Sequence, residues 1–285
     1  MAVSESLCRG RVTVDDIAGS LALSGACGWN QTAEDWAVFI AHGQVQGIRD
    51  AAGLLIATAA ALPYGGGQGW ISMVLVDPTW RHRGLATELL NDCVASLLQA
   101  GVTPVLDATP AGAPVYRRLG FVPGLAFERW EAELAPTTAA EQAGRSDIGP
   151  AGAADLDQVC ALDASASLVE RRFLLEAFLS RRDTRAWVSH DAQGFVVLRA
   201  GLRAAQIGPL VAPDEPAAIA LLATALAELH GRVFLDVPTR WTALTAALQS
   251  RGFRQQRPFQ RMALGDARSL AGSARLFVVA GPEFG

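Results

Sequence analysis

Hydrophobic and polar positions along the first half of the chain predict strands and helices in alternation. The clearest helix begins at Leu85, keeps its large apolar residues on one face and stops before Gly101. Its predicted buried face comprises Leu85, Ala86, Leu89, Leu90, Cys93, Val94, Leu97 and Leu98. Further helices are predicted over 15–24 and 32–41, and strands over 45–49, 53–62, 70–76, 104–107 and 127–134. Strands that alternate with helices indicate an α/β unit.

Three short patterns of the first half return in the second half in the same order. Their offsets are 135 (76 to 211), 129 (107 to 236) and 132 (120 to 252). The pairs are Val76-Asp77-Pro78 with Val211-Ala212-Pro213, Val105-Leu106-Asp107 with Phe234-Leu235-Asp236, and Leu119-Gly120-Phe121 with Arg251-Gly252-Phe253. Similar offsets in one order predict a tandem duplication.

The stretch 135–149 is small and polar and is typical of a linker. We therefore expect a first domain over 1–134, a linker over 135–149 and a second domain over 150–285. Each is expected to be an α/β (α+β) unit with helices beside a sheet.

Composition narrows the possible functions. The chain has 285 residues, is 51% hydrophobic and has a net charge of -4, which suits one or two soluble domains. All 24 basic residues are arginine, so lysine-dependent Schiff-base chemistry and Walker phosphate loops are excluded. The mildly acidic balance argues against nucleic-acid and anionic-membrane partners.

Targeting and metal signals are weak. The first twenty residues carry several charges and do not resemble a signal peptide, and the longest apolar run, 51–62, is too short to span a bilayer. We therefore expect a cytoplasmic protein. The four cysteines and four histidines are scattered, so no metal site is expected.

The segment from Val74 to Thr87 carries the most chemistry. A buried strand ends before Pro78, and a loop with two arginines leads directly into the long helix. Unpaired N–H groups and the positive end of the helix dipole favour a phosphate at such a helix start, and Gly84 permits a close approach. The residues alone leave a second interpretation open, an ordinary helix start with solvated arginines.

This segment resembles the acyl-CoA-binding motif of the GNAT superfamily of N-acetyltransferases, Arg/Gln-x-x-Gly-x-Gly/Ala. Arg81-x-x-Gly84-x-Ala86 fits the motif position by position. A second signature of the family is a tyrosine four residues before Gly-Phe, and Tyr116 stands at that distance from Gly120-Phe121. The two matches occur in the family's usual order, about thirty residues apart.

The resemblance implies two tandem GNAT-like domains, each with a mixed, mostly antiparallel sheet flanked by helices, and acetyl-CoA as the acyl donor. Backbone amides of 82–87 would hold the CoA pyrophosphate, and the pantetheine arm would pair with the strand at 74–76 as an added strand. The implied cofactor-binding residues are Val74, Leu75, Val76, Arg81, His82, Arg83, Gly84, Leu85, Ala86 and Thr87.

The resemblance also implies a role for Tyr116. In this family the acyl group passes directly to an amine, and a tyrosine at this position protonates the departing thiolate. A phenol with an ordinary pKa near ~10 is protonated at neutral pH and can donate. The other interpretation is a helix tyrosine that packs on the turn at Gly120 and Phe121.

Two departures from the family pattern concern polar groups. Thr109 stands seven residues before Tyr116, where many members have asparagine, and the strand 70–74 contains no carboxylate to act as general base. Asp107 is the nearest candidate base in the sequence, although we favour a role in capping the turn before Thr109. The general base is therefore not assigned.

The second half lacks both signatures. After Pro213 it has Asp214 and Glu215 where arginine and glycine would bind phosphate, and no tyrosine precedes Gly252. Carboxylates suit a helix start but repel a pyrophosphate. We expect a degenerate GNAT-like domain. A final strand near 276–280 is expected to dock on one of the two domains, and the sequence leaves open which one.

The acceptor site is the least defined part. The first two helices border that site in the resembling fold, so Trp29 is a candidate apolar wall and Asp35 a candidate partner for a cationic amine. The alternative places Trp36 and Phe39 in the core of an amphipathic helix.

The favoured function is an acetyl-CoA-dependent N-acetyltransferase that acts on a primary amine of a small molecule. The alternative is a non-catalytic acyl-CoA-binding or regulatory protein on the same scaffold. Because a duplication supplies within one chain the neighbour that a single domain finds by dimerising, a monomer is favoured over a homodimer.

Overall fold

The computed structural model of the protein describes residues 7–136, 147–265, 270 and 272–285. The chain forms two compact units, Met1–Val105 and Leu106–Gly285. Most of the predicted linker lies outside the described residues, and a strand already begins at Ile148. The predicted domain limits at 134 and 150 therefore remain a prediction.

Within the residues that the structure describes, the first unit is a sheet flanked by three helices. Its strand order is β1-β2-β3-β4-β5, antiparallel throughout except for the parallel pair β4 and β5. The strands are β1 (Cys8–Arg11), β2 (Gln44–Arg49), β3 (Leu55–Pro63), β4 (Gln68–Val76) and β5 (Thr103–Ala108), the last of which crosses the border between the units. The helices are α1 (Ile17–Ala26), α2 (Ala33–His42) and α3 (Leu85–Gln99).

Helix α2 begins where its capping residues predict. The Thr32 hydroxyl accepts from the N–H of Asp35, and the Asp35 carboxylate accepts from the N–H of Thr32, 3.0 Å away. Trp36 and Phe39 are fully buried and meet edge to face with ring centroids 6.2 Å apart. The interpretation of α2 as an amphipathic helix that buries these two rings is therefore confirmed.

Helix α3 buries most of the face that its pattern predicts. Leu85, Leu89, Leu90, Cys93 and Leu97 are buried, whereas the prediction for Leu98 is wrong because it is 54% exposed. Each step of four residues rotates a position by about 40° around a helix of 3.6 residues per turn. The ladder of apolar residues therefore turns away from the sheet before it reaches Leu98.

The second unit contains the remaining strands and helices. Its sheet has the order β12-β6-β11-β10-β9-β8-β7, and β13 pairs with β10. The strands are β6 (Phe121–Leu134), β7 (Ile148–Ala151), β8 (Arg185–Ser189), β9 (Phe195–Arg199), β10 (Ala205–Val211), β11 (Gly231–Pro238), β12 (Arg254–Leu264) and β13 (Leu276–Val278). The helices are α4 (Ala113–Arg118), α5 (Leu156–Ser167), α6 (Arg172–Leu179), α7 (Glu215–Ala227) and α8 (Thr242–Ser250).

The element order repeats along the chain. From β1 to β6 it is one strand, two helices, three strands, one helix, one strand, one helix and one strand, and β7 to β12 follow the same order. Each set contains one parallel pair, β4 with β5 and β10 with β11. The predicted duplication is confirmed, and we call β1–β6 the first repeat and β7–β12 the second repeat.

The last strand of the first repeat is shared with the second. β6 lies between β12 and β11 and is antiparallel to both, with Trp130 opposite Leu235 on one side and Phe127 opposite Phe259 on the other. The Phe127 and Phe259 rings stack with centroids 5.2 Å apart. The last strands of both repeats therefore share one hydrophobic layer in the second unit. Among the described residues, no helix is long and apolar enough to cross a membrane.

Candidate functional site

The loop between β4 and α3 is built around a tight turn. The Asp77 carboxylate accepts from the Thr79 N–H at 2.9 Å and from the Thr79 hydroxyl at 2.6 Å, and these hydrogen bonds hold the pKa of Asp77 below its usual value. Pro78 opens the turn with a fixed φ. The turn brings the chain from the buried strand to the exposed residues 81–84, which lead into the helix.

The N-terminus of α3 has no capping side chain. Its N-cap residue, Gly84, has φ 83°, a left-handed conformation that glycine adopts without strain. The helices that begin at Ala33 and Glu215 differ, because the side chains of Thr32 and Asp214 cap them. The first-turn N–H groups of α3 are thus available to an anion, at the positive end of the helix dipole.

Two arginines precede this helix start. The Arg81 Nε donates to the carbonyl oxygen of Val76 at 3.4 Å, which fixes its base near the end of β4. The Arg83 guanidinium lies over the Trp80 ring, 4.4 Å from its centroid. Both arginines are exposed, and their positive charge lies beside the helix start, where a bound phosphate would need it.

β4 contains a bulge above this loop. Its register with β3 shifts between Thr58 and Ala60, so that Met73 and Val74 together face the single residue Ala59. Met73 has φ 52°, which is uncommon for a residue other than glycine. The buried Thr58 hydroxyl donates to the Met73 carbonyl oxygen at 2.8 Å and holds this conformation. A bulge leaves an extra residue outside the ladder and frees its backbone groups for a ligand.

The parallel ladder between β4 and β5 comprises the three pairs from Gln68 with Thr103 to Trp70 with Val105. Beyond Trp70, the ladder of β4 runs with β3 as far as Val76. The bulge and the loop therefore follow the part of β4 that pairs with β5.

Tyr116 lies on α4 in the second unit. Its ring is tilted against Phe121, with centroids 6.1 Å apart, so the residue does pack on the turn that follows the helix. Burial raises the pKa of Tyr116 to about 12. Its phenol is therefore protonated at neutral pH and can donate a proton or a hydrogen bond. Packing and proton donation are compatible, because the hydroxyl is not part of the ring contact.

Asp107 is held in an ion pair that the sequence did not reveal. Arg261 on β12 donates from Nε and Nη2 to its two carboxylate oxygens, both at 2.9 Å, and both side chains are buried. Burial raises the pKa of Asp107, and Arg261 opposes that rise. The turn before α4 is instead capped by the Thr109 hydroxyl, which accepts from the Gly112 N–H at 3.3 Å. The preferred capping role for Asp107 is therefore wrong.

A matching ion pair occurs at the equivalent position of the second repeat. Asp236, at the position of Asp107, accepts from Arg129 Nε and Nη2 at 2.9 and 2.8 Å, and Gln206 Nε2 donates to it at 3.0 Å. In each case the arginine comes from the last strand of the other repeat. The two pairs thus join β5 to β12 and β11 to β6.

Two candidate acceptor residues lie in the first unit. Trp29 follows α1, is partly exposed and donates its backbone N–H to the Ser24 carbonyl oxygen at 2.9 Å. Asp35 is only 3% exposed, and its carboxylate serves the capping box of α2. The carboxylate of Asp35 therefore has a structural partner, whereas Trp29 is partly exposed to solvent.

The second repeat fills its equivalent helix start with its own carboxylates. Asp214 accepts from the Ala217 N–H at 2.9 Å, and the Glu215 carboxylate accepts from the Leu244 N–H at 2.8 Å, in the first turn of α8. The predicted carboxylates are thus both engaged in helix capping. An anion at this point meets negative charge instead of open N–H groups.

Sequence reasoning missed three residues around these features: Thr58, Arg261 and Cys27. The Cys27 thiol lies 3.6 Å from the Val76 carbonyl oxygen and 3.9 Å from Arg81 Nη2. A threonine in an apolar strand is a weak signal for a bulge, and the contacts of Arg261 and Cys27 join distant parts of the chain. No pattern in the sequence pointed to them.

A groove of about 410 Å³ also opens beside α3 in the first unit, lined among others by Arg9, Gln44 and Ser96. Several of its polar groups already pair with one another, since Arg9 forms an ion pair with Asp92 and Ser96 donates to Gln44 at 3.0 Å. No group of three histidine, cysteine or acidic residues suited to a metal ion occurs within the described parts of the chain.

Comparison with protein families finds two matches along the chain. Residues 34–123 match a family described as an acetyltransferase (GNAT) domain. Residues 159–277 match a second family of the same description. The first match contains the β4–α3 loop and Tyr116, and the second covers most of the second repeat.

Individual proteins are similar over nearly the whole chain. The uncharacterized N-acetyltransferase YitH of Bacillus subtilis is 23% identical over 250 residues, which are 85% of this chain and 86% of that protein. The crystal structure of a putative acetyltransferase from Pyrococcus horikoshii has a TM-score of 0.80 at 19% identity and covers 100% of this chain and 98% of its own. A tandem GNAT protein from the clavulanic acid biosynthesis pathway has a TM-score of 0.65 at 15% identity and covers 90% and 98%.

Proposed function

Because the chain belongs to the GNAT superfamily of acetyltransferases and carries two such domains in tandem, we propose that its first repeat transfers an acetyl group from acetyl-CoA to the primary amine of a small molecule. The observation that carries this proposal is the open N-terminus of α3, where Gly84 leaves the first-turn N–H groups uncapped directly after two exposed arginines. The second repeat has carboxylates at the same point.

The open helix start suits the pyrophosphate of acetyl-CoA. The backbone N–H groups of 82–87 donate to its oxygens, and Arg81 and Arg83 add charge beside them. A Cβ at Gly84 would meet no atom within 4 Å, so the space in front of this residue is open to a ligand. The residues present therefore fit a diphosphate.

The acyl-bearing arm then lies along β4. Its amides pair with the backbone of Val74 to Val76 as an added strand, so the side chains there matter little. The bulge at Met73 and Val74 supplies a backbone N–H outside the regular ladder, which suits the thioester carbonyl oxygen as negative charge develops on it.

The proposed reaction is a direct transfer. The neutral amine attacks the thioester carbon, the C–N bond forms, and the C–S bond breaks with departure of the CoA thiolate. Tyr116 donates its proton to that sulfur, the proton lost by the amine nitrogen leaves through water, and the tyrosinate takes a proton back from water before the next turnover. No carboxylate of β4 is available for this step, because the strand from Gln68 to Val76 contains none.

The acceptor amine is proposed to lie against Trp29, whose partly exposed ring offers an apolar wall. Asp35 and Asp107 are not assigned to the amine, since their carboxylates serve a helix cap and a buried ion pair. We propose a monomer working in the cytoplasm, without nucleic-acid or membrane partners, and analytical ultracentrifugation tests the monomer.

Turnover tests the proposal. The purified chain is incubated with acetyl-CoA and a panel of small primary amines, and both free CoA and the acetylated amine are measured by mass spectrometry. Equal amounts of the two products with at least one amine are expected. Saturable acetyl-CoA binding without any product across the panel favours the alternative, a non-catalytic acyl-CoA-binding protein.

The matched variants are Gly84→Glu and Gly53→Glu. Both glycines have a left-handed φ, 83° and 82°, with no atom within 4 Å of an added Cβ, so both substitutions carry similar backbone strain. Only Gly84→Glu places a carboxylate where the pyrophosphate is proposed to bind. Loss of activity in Gly84→Glu alone supports the site, and equal loss in both variants contradicts it.

A further inference from the structure

The second repeat retains the strand that corresponds to the proposed cofactor strand. β10 ends at Val211 as β4 ends at Val76, and each strand is followed by a helix and a parallel strand. By the offset of 135 residues (76 to 211), residues 209–211 are the equivalent in the second repeat of 74–76, the segment that is proposed to pair with pantetheine.

In the second repeat this position is occupied by the chain itself. β13 pairs with β10 in antiparallel register, Leu210 with Val278 and Val211 with Leu276. On its other side, the N–H of Val279 donates to the carbonyl oxygen of Asp236 on β11 at 3.0 Å. The segment 276–279 therefore bridges β10 and β11 with backbone hydrogen bonds.

Side chains of the second repeat fix this segment along its length. Trp241 stacks on Phe277 with centroids 4.2 Å apart and donates its indole N–H to the Leu276 carbonyl oxygen at 2.7 Å. Phe284 meets Phe178 edge to face at 5.4 Å. Residues 276–280 and 284 are fully buried, so the segment is part of the core of the second unit.

Two buried arginines hold the backbone carbonyls near the end of the segment. Arg199 donates to the carbonyl oxygen of Ala280, and Arg171 donates to that of Phe284 at 2.8 Å and to that of Gly285. Arg171 is itself fixed by a bidentate pair with Asp163 at 2.8 and 2.9 Å. These contacts recognise main-chain oxygens, which is how a cleft holds a peptide rather than a particular side chain.

The backbone of β10 is adapted to the same segment. A Cβ at Gly208 would lie 2.1 Å from the carbonyl oxygen of Val279, so only glycine admits the segment at this distance. The two amide groups of a pantetheine arm and a peptide strand offer the same backbone-like donors and acceptors. A cleft that binds one by strand pairing is therefore suited to the other.

We propose that the cofactor cleft of the second repeat has become a peptide-binding cleft whose ligand is the chain's own segment 275–285. The segment and an acyl-CoA arm exclude each other, so the chain has one acyl-CoA site. The inference rests on the proposed function only for the identity of the ligand in the first repeat.

Hydrogen exchange of the full chain tests the occupancy of this cleft without any cofactor. Two amides report on the segment: that of Val279, and that of Ala212, which donates to the Arg275 carbonyl oxygen at 3.1 Å. Both are expected to exchange roughly a hundredfold or more slower than in an unstructured chain. Exchange of both amides at the unstructured rate overturns the proposal.

The arginine clamp is tested by Arg199→Met, which keeps a long apolar stem but loses the donor to Ala280. Exchange over 276–285 is expected to accelerate roughly tenfold to a hundredfold, the usual effect of losing one hydrogen bond from a charged group. The control, Arg251→Met, removes an exposed arginine from the end of α8 and is expected to change nothing there. Unchanged exchange of the segment in Arg199→Met contradicts the clamp.

Acetyl-CoA titration separates this inference from the proposed function. Calorimetry is expected to give one site per chain in the wild type and none in Gly84→Glu. Two sites in the wild type, one of which remains in Gly84→Glu, overturn the occupied cleft. A single site that is the same in both proteins contradicts the proposed site at Gly84 and not the occupied cleft. If the wild type binds no acetyl-CoA at all, the proposed function fails, and the exchange experiments still decide the occupancy of the second cleft.

Discussion

Replacing Arg261 by methionine is expected to destabilise the protein, chiefly because of its unchanged partner, Asp107. Arg261 satisfies both carboxylate oxygens of Asp107, and both side chains are nearly inaccessible to solvent, at 3% and 0%. Methionine retains most of the apolar volume but leaves the carboxylate buried without its partner. Breaking a buried ion pair in this way costs about 3–5 kcal/mol.

The expected loss is a large part of the stability of an ordinary domain, which is about 5–15 kcal/mol. In a unit of this size each kcal/mol lowers Tm by about 2–4 °C. We therefore expect Tm to fall by roughly 6–20 °C. Urea unfolding followed by tryptophan fluorescence measures the free energy, and calorimetry measures Tm.

The double variant Arg261→Met with Asp107→Leu identifies the cause. Since it removes the buried charge together with its partner, it is expected to regain most of the lost stability. Arg251→Met, on an exposed surface, is the control and is expected to change the free energy by less than about 0.5 kcal/mol. A single variant that loses less than about 1 kcal/mol, or a double variant no more stable than the single one, refutes this reasoning.

Three further predictions concern the proposed reaction and the thiols. Tyr116→Phe is expected to lower kcat about a hundredfold or more with little change in acetyl-CoA affinity, whereas the control Tyr64→Phe, at the other tyrosine, is expected to leave kcat unchanged. Because the pKa of Tyr116 is about 12, loss of its proton should not lower kcat until the pH approaches that value. A fall in kcat near pH ~9 that disappears in Tyr116→Phe contradicts this. Thr58→Val leaves the Met73 carbonyl oxygen unpaired, so the free energy of unfolding measured with urea is expected to fall by about 1–3 kcal/mol. The variant is also expected to lower kcat more than acetyl-CoA affinity. An unchanged kcat argues against a role for the bulge. Burial raises the pKa of Cys93 from 9.0 to about 12, so at pH ~8 its thiolate fraction is about a thousandfold lower than that of an exposed thiol. Ellman's reagent is therefore expected to modify the exposed Cys8 first and Cys93 only after denaturation. Rapid modification of Cys93 in the native protein contradicts this prediction.

Periodicity and capping chemistry were sufficient where the signal was local. The cap at Thr32, the long helix from Leu85 and the carboxylates at Asp214 and Glu215 depend on neighbours within a few residues, and the structure has all of them. The repeated element order was also accessible, because three patterns recur at nearly constant offsets. Local chemistry and internal repetition thus predicted most of the fold.

Long-range pairing was not accessible in the same way. Asp107 meets Arg261 from 154 residues away, and Asp236 meets Arg129 from 107 residues away. These contacts depend on β6 and β12 lying side by side, which no local pattern encodes. A last strand near 276–280 was predicted and is β13 in the structure, but its place beside β10 depends on which edge was open in the folded protein.

The candidate site was predictable in its loop but not in its strand. Glycine and arginines before an amphipathic helix have a direct electrostatic meaning, so the helix start could be derived from the residues. The bulge at Met73 could not, because it depends on the register with β3 and on the hydroxyl of Thr58. An apolar strand with one threonine looks alike with or without a bulge.

The central claim is that the first repeat binds acetyl-CoA by its pyrophosphate at the N-terminus of α3. The most direct measurement is a calorimetric titration of the full chain with acetyl-CoA and, in parallel, with S-acetylpantetheine, which carries the same thioester arm without the diphosphate and nucleotide. We predict one saturable site for acetyl-CoA in the wild type and in Gly53→Glu, and no acetyl-CoA binding in Gly84→Glu. S-acetylpantetheine is expected to bind roughly a hundredfold more weakly than acetyl-CoA, or more weakly still. Equal affinity for the two thioesters, or acetyl-CoA binding that survives in Gly84→Glu, would contradict the claim.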